Sequence, residues 1–390
     1  MITISNADKA LKNYYLDAVT AQLNDGISPF FSAVEKNAAN VFGKDVKIAV
    51  VRGNCGSVLA GAEDADLPDP YKNRYLDITV PLKNLYGTIE ISDKALRASG
   101  DGSGAFVNLV NAEMEGLISS AKQNFSRMLF GDGSGALCKI TSKVSDGVYK
   151  ADCVKDYFAG MCVDVIGASS SEEGVYILSV SAKNSTVKFS KNITNVITGC
   201  KVYPHGSKDN ELTGLGAIFG GGTLYGYDKN VEPYFAPYIA DADGSITEEK
   251  LTDVLDYMEE NFNSRINMII CSYKTRKKIA SLIAENRRVV NSTDARTGFG
   301  VVTVNDVPVY ADKYCPDDRI LFLNTDDFVL SQLCDWEWLE DEGGKILKQV
   351  TGKAAYSATL VKYAELICKK PCGQAMLSNI SSQAEETAAN

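Results

Sequence analysis

The chain contains a single histidine, His205, in the stretch Tyr203-Pro-His-Gly-Ser207. Any Ser-His-Asp or Cys-His nucleophilic system has to be built on it, and no nucleophile-elbow sequence accompanies it. Its turn-forming neighbours make a surface histidine the default. One imidazole also excludes a multi-histidine metal site and leaves open only an all-carboxylate one. Two copies of Gly-Asp-Gly-Ser-Gly, at 100–104 and 131–135, suggest a loop whose backbone amides cradle a phosphate. Neither copy has the Lys-Ser/Thr pair of a P-loop or the GxGxxG spacing after a strand, so both read as turns.

Asp241-Ala-Asp243-Gly-Ser-Ile246 resembles the middle of a calcium loop, where carboxylates alternate before a glycine. In the twelve-residue register, however, the first ligand position falls on Ile239 and the bidentate position on Lys250, and a lysine cannot coordinate the ion. A turn followed by a Thr247 N-cap, with Glu248 and Glu249 in the first helical turn, accounts for the same residues. Acid/base dyads can be imagined among the 50 acidic residues, but nothing in the text marks a pair as desolvated, so solvated carboxylates are expected. The ten cysteines are scattered, without a CxxC pair. Buried, reduced thiols fit this better than a disulfide framework or a zinc site. Trp336 and Trp338 alternate as in a strand and share a side, either at an interface or at the edge of a core.

The elements that must carry these residues are legible from periodicity. Of the 390 residues, 45% are apolar, enough for a large core divided among two or three subdomains. No apolar run approaches the ~20 residues needed to span a bilayer, and no leader pattern opens the chain, so a soluble protein made in a cytoplasm and without a membrane partner is expected. A net charge of −10 without a basic arm disfavours direct nucleic-acid binding.

Residues 6–24 have helical spacing, and 29–47 read as an extended or part-helical arm. Val46–Val51 and Leu76–Leu82 read as strands joined by a long Gly/Asp/Pro-rich segment, a hairpin projecting from the body. Leu85–Ser92 is a further strand. Between the two glycine motifs Phe106, Val110, Met114, Leu117, Ala121, Phe125 and Met128 recur every three or four residues. They predict one amphipathic helix over 105–130, about 39 Å long at 1.5 Å per residue. From 137 to about 207 the period drops to two, as in a small β-rich insertion. Beyond Gly220-Gly-Gly222, helices at 247–261 and 273–285 alternate with strands at 266–271, 301–304, 307–311, 319–323 and 328–333, an α/β domain with a mixed sheet. Residues 354–368 read as one or two strands, and 378–390 as a loose tail.

The order of arm, acidic hairpin, long helix, α/β domain and returning strand resembles the tailed-phage major capsid proteins of the Hong Kong 97 fold. Gly61-Ala-Glu63 before Leu67-Pro68, Lys83-Asn-Leu-Tyr-Gly87 with Ile91-Ser92, Ala105-Phe-Val107 leading to Glu113-Met114, and Leu129-Phe-Gly131-Asp-Gly-Ser-Gly135 are similar to that family. So are Val304-Asn-Asp-Val-Pro-Val-Tyr-Ala-Asp312, Arg319-Ile-Leu-Phe-Leu-Asn324 and Phe328-Val-Leu330. The resemblance implies an α+β chain. It divides into an N-terminal arm (1–45), an extended loop and the start of a peripheral domain (46–92), a spine helix (93–136), the β-rich insertion (137–207), an axial α/β domain (208–340), returning peripheral strands (341–378) and a tail (379–390).

It further implies a non-enzymatic shell subunit that associates with itself as hexamers and pentamers in a virion capsid assembled in a bacterial cytoplasm. Its expected partners are a separate scaffolding protein, portal and decoration proteins, and packaged double-stranded DNA held without sequence-specific contacts. No catalytic residue, cofactor or metal ligand is expected. Candidate inter-subunit contacts are Arg52, Glu63, Asp64, Asp66, Lys72 and Arg74 of the loop, with Trp336 and Trp338. A hairpin without a core of its own is stable only against a partner, and heterologous contacts that close by rotation form rings. The alternatives are an encapsulin-like nanocompartment shell and, from another class, a carboxylate-dependent hydrolase with a deep cleft between the α/β domain and the insertion.

Overall fold

The computed structural model describes residues 28–53, 60, 72–94, 105–167, 171–193, 199–286, 302–341 and 344–381. The predicted helix at 6–24, the first glycine motif and the terminal tail beyond Ser381 lie outside these residues.

The architecture is α+β. Its central element is the strand Ala355–Cys368, which pairs antiparallel with Lys83–Ser92 on one side and Phe328–Trp338 on the other, and with the short Lys348–Gln349. Leu360, Ala364 and Leu366 belong to the core formed with Ile118, Phe125 and Leu129 of the helix Ala105–Phe130. That helix has the predicted bounds. The described part of the arm is held to the body: Ser28 caps the short helix Pro29–Ala33 and also donates its hydroxyl to Asp312 Oδ2 at 2.7 Å. Phe30 and Phe31 are buried edge-on against Phe328 and Phe125, at 5.1 and 5.2 Å between ring centres. Glu35–Asn37 then adds a parallel strand to Phe328–Trp338.

The hairpin is Asp45–Gly53 paired antiparallel with Arg74–Pro81. On one face Val46, Val50 and Ile78 pack into the main core, whereas on the other Val51 and its cross-strand neighbour Tyr75 are 45% and 61% exposed. The insertion is a closed six-stranded barrel running from Cys138 to Pro204. Tyr149, Val163, Val175, Val187 and Val202 fill it as a separate core. Closure gives every strand two neighbours, so a small module is left without an open edge.

The axial sheet has six strands in the order Tyr238–Gly244, Ala375–Ile380, Ile320–Leu323, Met268–Cys271, Val307–Ala311, Val302–Val304. The helices Glu248–Phe262 and Tyr273–Asn286 cover one face, where Leu251, Val254, Met258 and Ile279 meet Ile269, Phe322 and Leu377. Met268, Ile270, Leu321 and Leu323 point the other way, into the core shared with the spine helix. Thr247 caps the first of these helices by accepting from Lys250 N at 3.2 Å, and Asn263 ends it in the left-handed conformation (φ 45°).

Two of the expected boundaries are corrected. Phe328–Trp338, assigned with the axial domain 208–340, leaves that sheet and pairs with Ala355–Cys368, because the turn Thr325–Asp327 redirects the chain. Ala375–Ile380, assigned to the returning peripheral strands 341–378 and the tail, lies inside the axial sheet, parallel to Tyr238–Gly244 and antiparallel to Ile320–Leu323.

Candidate assembly surfaces and the buried polar network

Of the loop residues expected to meet a neighbouring subunit, Arg52, Lys72 and Arg74 are described. Arg52 has a partner within its own subunit, Glu232 Oε1 at 2.6 Å. Lys72 and Arg74 are exposed near the outer end of the hairpin. Glu63, Asp64 and Asp66 lie outside the described residues. The outward face of the hairpin presents Val51 and Tyr75 at one end and Phe42, paired opposite Asp45, at the other. That these three residues share a face follows from the strand pairing, and their exposure from what the opposite face packs against.

The tryptophans are corrected: Trp336 and Trp338 are 6% and 5% exposed and belong to the core under the spine helix. They share a side, as their spacing predicts, but that side faces Phe125, whose ring lies 6.3 Å from Trp336. Lys362 is enclosed there too. Its ammonium stands 5.8 Å from both rings and donates to Gln332 Oε1 at 2.9 Å and Asp335 Oδ1 at 2.5 Å. Burial lowers its pKa, and Asp335 opposes the shift. Three residues on, Glu365 is fully buried, accepting from Thr213 N at 2.7 Å and Leu366 N at 3.1 Å. Burial pushes its carboxyl up to about 7 against those hydrogen bonds.

The end of the spine helix is held by a second buried pair. Arg127 donates from Nη1 and Nη2 to Glu211 Oε2 and Oε1 at 2.8 and 2.5 Å, a bidentate contact between two buried side chains. Beside it the backbones approach closely. A Cβ added to Gly214 would meet three carbonyl oxygens, of Met128, Leu129 and Gly131, and one added to Gly216 would lie 2.9 Å from Phe130 O. Lys229 completes the joint by donating Nζ to the carbonyls of Ala217, Ile218 and Gly220 at the end of the helix Leu215–Phe219.

The motifs that suggested chemistry resolve into local structure. In 131–135, Asp132 Oδ1 accepts from Ser134 N and Oγ, and Gly133 and Gly135 have φ of +83° and +78°, so the motif is a turn. In the calcium-like loop the Lys250 ammonium occupies the concave side, 2.5 Å from Ala242 O, 3.5 Å from Ser245 O and 3.8 Å from Asp243 Oδ2. The sequence thus supplies its own cation. His205 Nδ1 lies 2.7 Å from Asp164 Oδ1, and Asp164 also accepts from the amides of Gly174 and Gly206. The hydrogen bond with Asp164 raises the histidine pKa.

A cavity of about 500 Å³ lies beside the barrel, between the spine helix, residues 82–87 and 204–211. Glu211 is the carboxylate in its lining, and both its oxygens are engaged by Arg127. This differs from the two close carboxylates that the hydrolase alternative requires. Among the described residues no group of three His, Cys, Asp or Glu side chains gathers to hold a metal, and no helix is long and apolar enough to cross a membrane.

The barrel is tied to the axial domain through Asp317, whose Oδ1 and Oδ2 accept from Lys155 and Lys274 at 2.9 and 3.1 Å. Burial raises its pKa, but hydrogen bonds from Lys155, Ser272 and Lys274 outweigh burial and hold it at about 2. A depressed carboxyl contributes stability above its unfolded pKa of about 3.9 and loses it as pH falls through the folded value. Asp317→Asn is therefore expected to lower the thermal midpoint near neutral pH by an amount that shrinks below about pH 4 and vanishes near pH 2. A pH-independent difference would refute the tether.

No family model and no curated protein matches the sequence. Among solved structures, the chain is similar to the capsid of cyanophage A-1(L), with a TM-score of 0.56 at 12% identity, covering 91% of this chain and 93% of that one. It is similar to the capsid of the native GTA particle, with a TM-score of 0.52 at 11% identity and 91% of each chain covered. The empty GTA particle capsid gives 0.50 at 12% identity, with 91% of each chain covered. The chain has the Hong Kong 97-type capsid fold, with a closed barrel inserted after the spine helix.

Proposed function

We propose that this chain is the major capsid protein of a tailed phage, assembling as hexamers and pentamers into an icosahedral shell around double-stranded DNA. The observation that carries the proposal is the hairpin Asp45–Pro81, on a chain whose fold follows phage and GTA capsid subunits over 91% of its length. Its inner face is packed on the core along the described strands, while its outer face exposes Phe42, Val51 and Tyr75. An apolar face left in water is stabilised by burial, so that face is covered by another surface. In a shell of identical subunits the surface is the neighbouring copy, with Lys72 and Arg74 beside the contact.

On this reading the net charge of −10 suits a container whose DNA is delivered by a separate motor, and the DNA is held without sequence-specific contacts. Scaffolding, portal and decoration proteins are the further partners, and assembly takes place in the host cytoplasm. Expressed alone or with its scaffolding protein, the chain is expected to give capsomer rings or closed shells in negative-stain electron microscopy. A protein that stays monomeric in both settings would end the proposal.

A further inference from the structure

The two helices covering the axial sheet carry opposite charge. Glu248–Phe262 turns Glu249, Asp253, Asp256 and Glu260 to solvent at intervals of four, three and four, a single stripe. Its one basic residue, Lys250, is held by the turn Ala242–Ser245. Tyr273–Asn286 carries Lys274, Arg276, Lys277 and Lys278 in its first two turns. Asp317 and the Ser381 carbonyl engage Lys274 and Lys278, whereas Arg276, lying over the Tyr273 ring, and Lys277 are exposed.

The strand Met268–Cys271 joins the helices, so the acidic end of the first and the basic start of the second lie at opposite ends of it. At ~3.3 Å per residue they are separated by at least about 13 Å. At the acidic end Asp256 and Glu259 line a groove of about 550 Å³ with Asp306 and Asp326, in which Arg265 is the one basic lining residue. Among the described residues none of these four carboxylates forms an ion pair.

We propose that this groove receives the first turn of the helix Tyr273–Asn286 of a second copy, with Arg276 and Lys277 entering among Asp256, Glu259, Asp306 and Asp326. Within one subunit the two patches stand apart, and like-to-like pairing of copies would set carboxylates against carboxylates. Acid-to-base pairing satisfies both patches of every copy. It is head-to-tail, the kind of contact that closes into a ring by rotation. Complementary charges at such a rim set register and encounter rate more than bulk affinity, so this contact selects the ring while apolar surfaces elsewhere hold it. The inference rests on the shell reading and specifies which surfaces meet within a capsomer.

The test is charge reversal with rescue. Arg276→Glu with Lys277→Glu, and separately Asp256→Lys with Glu259→Lys, change exposed positions, and circular dichroism and thermal melts check that each variant folds. Each double variant is expected to lower the assembled fraction in sedimentation and electron microscopy by roughly tenfold or more at low salt. The fourfold variant, with both patches exchanged, is expected to recover rings. Raising salt should narrow the difference, because exposed charges are screened. Reversals without effect in a protein whose wild type assembles would overturn this contact and leave the shell reading standing. A wild type that never assembles would end both.

Discussion

Gly214→Ala is expected to cost more stability than the same change at any other described glycine. The added Cβ would contact the Met128 carbonyl oxygen and lie 2.6 and 2.7 Å from those of Leu129 and Gly131. All three belong to the last turn and end of the spine helix, so relief requires moving backbone on one side or the other rather than rotating a side chain. Overpacking costs about 1–3 kcal/mol where side chains can adjust, and a clash of three carbonyls with a backbone-attached methyl belongs at or above the top of that range. Gly221→Ala, seven residues on, meets nothing within 4 Å and serves as the control. The measurement is the urea midpoint of each variant, with the slope checked for two-state behaviour. Equal midpoints for the two variants would show that the close approach carries no energetic weight.

Arg127→Met is the second. It leaves Glu211, 2% exposed, without its bidentate partner, and removing one member of a buried pair costs about 3–5 kcal/mol because the remaining charge stays desolvated. The double variant Arg127→Met/Glu211→Leu removes both charges and is expected to recover much of that loss, since a buried ion pair and an apolar pair of similar volume are often close in stability. A double-mutant cycle in urea gives the coupling directly. Additive effects of the two single changes would mean that the pair is not coupled in solution. Glu211 stands two residues before Thr213, whose amide is held by Glu365, so the same loop is fastened at two buried points.

What could be read from the text and what could not separate along physical lines. The spine helix was legible because its period is local: the register from Phe106 to Met128 needs no knowledge of what lies opposite. The barrel was legible as alternating strands between turns, and its closure could not be, since that depends on pairings such as Lys201 with Lys139 across 62 residues. Phe328–Trp338 was placed in the wrong sheet because adjacency in sequence suggested adjacency in space, whereas its partner lies downstream. The tryptophan spacing gave orientation but not depth. Lys362 and Glu365 break the apolar pattern of their strand and so were visible as anomalies, but their partners Asp335 and Thr213 were not. Gly214 and Gly216 carry no signal of their role, because nothing in their sequence neighbourhood reveals the backbone of residues 128–131 pressed against them.

The first and last strands of the barrel are themselves paired, with Val202 opposite Cys138, so the polypeptide leaves the module about 5 Å from where it came in. To the rest of the subunit the whole inserted unit is therefore geometrically equivalent to a hairpin turn. Its contents can be lengthened, shortened or exchanged by recombination without altering the spacing of the spine helix from residue 211 onward, provided the two ends remain clasped. A foreign domain with neighbouring termini is the natural choice for an engineered graft there.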